Sequence, residues 1–439
     1  MSKLKKSLGF IDGVALLVGI TIGAGIFKTP QVISRYIDSF FLIIFLWVVV
    51  ALFVYIGALI YAELGSRFPN TGGEYIYMEK AFGPFWGFLF GWSQLLIIRT
   101  SPAAALSLLS ADYIGYFFPL DQTEKIIIAI ILLIFFGIIN VFGVEKGSFY
   151  NKFSSSIKIA GLFLFTVIGL LMVGGDFSRL SESAQATATL GPVGNIVAAL
   201  MMIVFSFLGW DRVGYVAGEM KDPIKVIPKT MLYGMLIITS LYIGSNFLYH
   251  AVIGLEGMRS SSIVASDTAV SLFGSIGASL ISIMVIISAT GSVNGTMMAT
   301  TRVYYAMARD GLMFKWFGHI HPKFKTPSNA ILAHCIWSIA LIIIRQNFET
   351  IVAGMVFAIL IFYGFTTVAF FKFRLMNLGK NNCYQLPLFP ILPAIYMLGI
   401  TVLVLLRAYY ETSASVQDLL FVISGIPVYF LFFKNNRTD

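Results

Sequence analysis

Charge is scarce in this chain. Asp, Glu, Lys and Arg make up 12% of its 439 residues, where soluble domains carry about 25%. That excludes a water-facing surface over most of its length. Cysteine is nearly absent. Cys335 falls in an apolar span and Cys383 in a polar loop, which excludes a disulfide framework and any Cys-x-x-Cys metal motif. Histidine is as rare, with 4 in all and none spaced as a ligand pair. No His-Glu-x-x-His, Gly-x-Ser-x-Gly or phosphate-binding loop occurs, and an enzyme needs a paired nucleophile and base or a metal cluster. The expectation is therefore a protein that is not an enzyme and needs no cofactor. A sensor would want a soluble output domain, and the tails are too short to supply one. The basic start, Met1 to Ser7, runs into an apolar span without a small-residue cleavage site, so no signal peptide is expected.

Apolar sequence fills the space that charge leaves. Hydrophobic residues reach 58% and mean hydropathy is +0.86. Twelve segments have helical length: 9–35, 40–63, 83–110, 125–143, 154–174, 193–219, 229–253, 268–306, 330–345, 350–372, 389–410 and 414–434. The fold expected is an all-α membrane protein with 12 transmembrane helices and no separate soluble domain. The eighth segment is too long for one crossing, so its Arg302–Arg309 end is expected to project into water. Basic residues orient the spans. Twenty fall on the side of Lys3, Lys80 and Lys221, against six on the side of Arg35 and Arg259. That bias places both termini in the cytoplasm, in the cell membrane. The net charge of +9 is then an orientation device facing anionic lipid, not a nucleic-acid footprint.

Two spans carry interruptions. Span 1 reads Gly19-Ile20-Thr21-Ile22-Gly23-Ala24-Gly25-Ile26-Phe27, with glycines at mid-span. Span 6 reads Phe205-Ser206-Phe207-Leu208-Gly209-Trp210-Asp211-Arg212, with glycine and a charged pair inside an apolar run. Small-residue packing through the Gly19/Gly23 pair is one explanation. Unwinding is the other, and inside a bilayer it is tolerable only beside a cavity or ligand. Each break begins a five-span half. Since five is odd, the second half enters from the opposite side, so 9–174 and 193–372 should be inverted repeats, with 389–434 appended. Free N–H groups after the first break attract a carboxylate. Carbonyls freed by both breaks accept from an ammonium. An α-amino acid offers both.

With Gly23-Ala24-Gly25-Ile26-Phe27, Pro69-Asn70-Thr71-Gly72-Gly73-Glu74-Tyr75, Gly209-Trp210-Asp211, Gly218-Glu219-Met220-Lys221-Asp222-Pro223, Gly291-Ser292-Val293-Asn294-Gly295 and Arg309-Asp310-Gly311-Leu312 in order, the chain resembles the amino acid–polyamine–organocation superfamily. It is nearest in pattern to the L-type amino acid transporters and their bacterial relatives. The resemblance implies the leucine-transporter-type fold of five-plus-five inverted repeats and alternating access. It implies substrate binding along Thr21, Ile22, Gly23, Ala24, Gly25, Ile26, Phe205, Ser206, Leu208 and Gly209. Ala24, Gly25 and Ile26 would hold the carboxylate through backbone N–H. Thr21, Phe205 and Leu208 would offer carbonyls to the amine, and Phe205 would be the aromatic lid. Many relatives have serine at Ala24 and L-type members usually have asparagine at Asp211, which leaves the substrate's charge open. Lys158 resembles a lysine that stands in for sodium and ties span 5 to the span 1 break; snorkelling is its plainer explanation. With Asp211 it is the candidate for coupling.

Other charges have simpler expectations. Arg99, Asp211 and Arg212 suit a structural ion pair. Asp12 would cap span 1, Lys28 would lie near the outer surface, and Glu63 and Glu219 would pair with loop lysines. Eukaryotic L-type relatives bond to a heavy chain through a cysteine between spans 3 and 4. Residues 111–125 have none, so no such partner is expected. Two transport readings stay open: a sodium-independent amino acid exchanger or uniporter, and a proton-coupled symporter or carrier of cationic amino acids or polyamines.

Overall fold

The computed structural model describes residues 9–23, 25–68, 73–174, 178–183, 185–212, 220–379 and 383–434. Ala24, Glu219 and residues 69–72 of the glycine-rich motif lie outside the described residues. Among the described residues the regular elements are helices, and Ser39 and Ser183 form an isolated antiparallel bridge.

The first span is two helices, α1 (Phe10–Thr21) and α2 (Gly25–Tyr36), bent by 46°. α3 (Phe40–Arg67) and the short α4 (Glu74–Phe82) follow. The third span joins α5 (Pro84–Ser93) to α6 (Thr100–Ile114) through a π-helical turn, Gln94–Ile98. Then come α7 (Gln122–Phe142), α8 (Val144–Val173), α9 (Gly191–Phe207), α10 (Pro223–Ser260) and α11 (Val264–Arg309). The chain continues through α12 (Ser328–Arg345), α13 (Phe348–Leu375), α14 (Ile391–Tyr410) and α15 (Thr412–Ile423). Among the described residues, eleven helical stretches are long and apolar enough to cross a membrane, or 12 with the bent pair counted as one.

Burial sorts these spans into layers. The most apolar window of Pro84–Ile114 is 94% buried, that of Phe348–Leu375 78% and that of Gly191–Arg212 67%. Those three spans form the centre. The corresponding windows of α7 and α8 are each 28% buried, so these helices face lipid. On α7, Ile127, Ile131, Ile134 and Ile138 form an exposed stripe at the 3–4 residue spacing of one helix face.

The eighth span's excess length has a cause absent from the sequence reading. A kink at Gly274, with φ 69°, separates a short first helix from the main span. The C-terminal end of α11 does reach an exposed Arg309. Two charge expectations are corrected, those for Asp12 and Glu63, and Lys28 gains partners. Asp12 is the third residue of α1, where Oδ2 accepts from the Gly9 N–H at 2.8 Å. Lys28 is buried, donating to Asp112 (3.0 Å) and to the Ser262 carbonyl (3.2 Å). Glu63 pairs with arginines, not lysines: Arg67 at 2.6 Å on one oxygen, and Arg374 on the other. That second oxygen also accepts from the Leu386 N–H. Arginine suits the place because its planar fork shares donors among several acceptors.

Glu63 is wholly buried, so its removal strands two guanidinium groups. Glu63→Gln should cost about 3–5 kcal/mol, read as a clear fall in the thermal midpoint of the detergent-solubilised protein. An unchanged midpoint would contradict the assigned pairing.

Candidate substrate site at the two helix breaks

α1 stops at Thr21 because Ile22 leaves the helical region, with ψ at 93°. α9 stops at Phe207 because Leu208 is extended, with ψ at 142°. Gly209 then takes φ +121°, a conformation that L side chains rarely adopt. The two breaks lie against each other. A Cβ on Gly209 would sit 2.9 Å from the Ile20 side chain and 3.3 Å from the Thr21 Cα. A Cβ on Gly25 would sit 2.9 Å from the Ser206 Cα. Glycine at both positions therefore permits backbone-to-backbone contact where the spans cross.

The freed polar groups find partners. The Tyr242 hydroxyl, from α10, is within hydrogen-bond reach of both the Thr21 carbonyl (2.9 Å) and the Ser206 carbonyl (3.0 Å). Its single hydrogen is shared between carbonyls in the last turns of the two broken helices. The Phe205 carbonyl accepts from the Leu208 N–H at 3.0 Å. Ser206 Oγ donates to Thr29 Oγ1 at 2.9 Å, tying α9 to α2. The opening N–H groups of α2, at Gly25 and Ile26, have no carbonyl one turn earlier within their own helix. Phe205 packs edge-on against Phe348 of α13, ring centres 5.6 Å apart.

The structure thus gathers Thr21, Ile22, Gly23, Gly25, Ile26, Phe205, Ser206, Leu208 and Gly209 at one junction. Two of the carbonyls expected to serve an amine, those of Thr21 and Phe205, already accept one hydrogen bond each and keep one lone pair. Tyr242 escaped the sequence reading. It stands mid-helix in an apolar run, and nothing in its neighbours Leu241 and Ile243 marks it as special.

Asp211 and Lys158 flank the junction. Asp211 Oδ2 accepts from Arg99 Nη2 at 3.0 Å, and Arg99 Nε donates to Gln94 at 2.7 Å. The π-turn shifts Arg99 into that position. The Gln94 carbonyl accepts from the Arg99 N–H at 3.0 Å, and carbonyls of the turn also take side-chain donors: Tyr304 at Gln94, Thr100 at Leu95 and Trp337 at Leu96. Lys158 is buried, so it does not snorkel. Its ammonium contacts Ser292 Oγ of α11 at 3.5 Å, rather than the carbonyls of residues 19–23. Its helix does meet α1, since Ser155 and Ile159 pack at Gly19.

The amino acid permease family model matches residues 8–433. The chain is 32% identical to the serine/threonine exchanger SteT of Bacillus subtilis, covering 97% of each. It is 28% identical to b(0,+)-type amino acid transporter 1 of Mus musculus, over 98% of this chain and 88% of that protein. It is also 28% identical to large neutral amino acids transporter small subunit 2 of Homo sapiens, over 98% and 80%. The chain belongs to the amino acid permease family: it is a multi-pass membrane transporter of amino acids, not an enzyme.

Tyr242→Phe removes the shared hydroxyl and keeps the ring that packs on Trp47 and Phe207. One lost hydrogen bond is worth about 0.5–1.5 kcal/mol. Uptake by proteoliposomes below saturation should fall about ten-fold, with an unchanged monodisperse elution profile. Wild-type uptake in the variant would remove Tyr242 from the site.

Proposed function

We propose that this permease exchanges neutral α-amino acids across the cytoplasmic membrane by alternating access and without sodium. The observation that carries the reading is the contact between two mid-span helix breaks, with the opening N–H groups of α2 on one side and carbonyls on the other. A substrate carboxylate binds the N–H groups of Gly25 and Ile26, completed by Ala24. The ammonium takes the second lone pairs of the Thr21 and Phe205 carbonyls, together with the Leu208 carbonyl. Phe205 closes over the bound molecule. The halves 9–174 and 193–372 work as inverted repeats with 389–434 appended, and both termini face the cytoplasm, as the 20-to-6 distribution of basic residues supports.

Charge decides the substrate class. Arg99 neutralises Asp211 inside the fold, so the pair presents no net negative charge to a cationic side chain or polyamine. The junction therefore suits a neutral zwitterion. The similarity to a serine/threonine exchanger supports small neutral substrates and exchange as the transport mode. No disulfide-linked partner is part of this reading, because residues 111–125 hold no cysteine.

Lys158 supplies a fixed cation between α8 and α11. A buried ammonium with one long contact to a hydroxyl is poorly compensated. It gains by turning to the span 1 carbonyls when α1 moves, and thereby does what a bound sodium ion would do.

Proteoliposomes loaded with L-threonine should take up labelled L-threonine faster than empty ones, with sodium or with choline outside. Lys158→Ala should insert and elute normally but lose most uptake. A sodium requirement, or uptake driven only by an inward proton gradient, would overturn exchange; full activity of Lys158→Ala would return the lysine to a structural role.

A further inference from the structure

A second cavity lies away from the helix breaks. It occupies about 610 Å³ between the first half of α9, the start of α13, the end of α14 and the start of α15. By the distribution of basic residues this is the outer half of the membrane. Its walls differ in kind. Val197, Ala198, Met201 and Met202 supply an apolar side from α9. Arg345, Glu349 and Glu411 supply charge of both signs opposite.

The charges retain binding capacity. Arg345 gives one Nη to Asp418, at 2.6 Å, and five N–H donors are available to a guanidinium. Glu349 engages Arg35 through Oε1 at 2.9 Å, and its side chain is 28% exposed. Glu411 engages Arg407 through Oε2 at 3.2 Å. Each carboxylate thus keeps its other oxygen. Cations and anions are balanced here: Arg35, Arg345 and Arg407 face Glu349, Glu411 and Asp418. A net anion or cation gains little from a neutral wall. A molecule carrying both charges a few ångströms apart, with an apolar side chain, matches it.

We propose that this cavity is a second, outer binding site for an apolar α-amino acid, with the carboxylate on Arg345, the ammonium on Glu349 and Glu411, and the side chain among Met201, Met202 and Val197. Its occupancy reaches the helix breaks along two routes. Met201 and Met202 lie one turn before Phe205 and Ser206 in α9. Glu349 adjoins Phe348, whose ring packs on Phe205. A ligand here therefore biases the Phe205 lid without touching the central site. The assignment stands whether or not the breaks bind substrate.

The test uses the purified full-length chain in lipid nanodiscs and photo-leucine, a diazirine analogue of leucine, as probe. Peptide mapping should find label within residues 197–202 and 349–353, competed by L-leucine. Ala353→Phe fills the cavity and should abolish that label; Glu349→Gln should weaken competition at least ten-fold. Gly25→Val, which crowds Ser206, should leave it in place while removing central binding, so failure of one site is distinguishable from failure of the other. Label confined to the helix breaks, label unaffected by Ala353→Phe, or label not competed by L-leucine, as a lipid-filled cavity would give, would each overturn the proposal.

Discussion

A broken helix in a membrane exposes peptide groups where water cannot reach them, and each unsatisfied group costs several kcal/mol. Everything at the centre of this transporter follows from how that cost is met. Two breaks share it. Gly209 brings the end of α9 onto the Thr21 backbone, and Gly25 brings the start of α2 onto Ser206. One hydroxyl, that of Tyr242, serves both truncated helices. The third span solves the same problem on a smaller scale: three side chains from three elements reach the carbonyls of its π-turn. In each case irregular backbone persists because neighbouring helices carry the right donor at the right height.

The buried charges obey a related rule with a different outcome. Glu63 is enclosed by Arg67 and Arg374, Asp211 is held by Arg99, and Asp418 lies between Arg345 and Arg407. Arginine recurs because its fork distributes charge over several acceptors and loses little when one contact is imperfect. These clusters fasten elements distant in sequence. Lys158 is of another kind, a point charge with a 3.5 Å contact to Ser292. Its environment compensates it least, which makes it the charge with most to gain from rearrangement.

Much of this was legible in the sequence, for identifiable reasons. Apolar length marks a span whatever it packs against, so the segments around 40–63, 125–143 and 389–410 match α3, α7 and α14 closely. Glycines inside an apolar run marked both breaks, since few other reasons put them there. Partnership was harder to read. Glu63 looked ready for a loop lysine, but its partner Arg374 is 311 residues away. Tyr242 gave no signal because a tyrosine in an apolar helix usually packs by its ring. The kink at Gly274 was hidden because α11 is apolar on both sides of it. Local pattern reveals where a helix must stop; only the assembled bundle reveals what satisfies the groups left behind.

These contacts also divide the molecule into parts that move together and parts that do not. Because Tyr242 bonds both breaks, α1, α9 and α10 cannot separate at the site without exposing two carbonyls to an apolar interior. Ser206 and Thr29 add α2 to that unit. The contacts leading out of it are unequal: ion pairs run from α2 to α6 through Lys28 and Asp112 and to α13 through Arg35 and Glu349, while α9 meets α13 through an edge-on ring pair between Phe205 and Phe348, worth about 0.5–1.5 kcal/mol. Motion that exposes the junction costs least where the ring pair gives way. Phe205 therefore lies on the seam between the broken-helix unit and α13, and a substrate bound to the breaks, as proposed above, would stay on the unit's side of that seam.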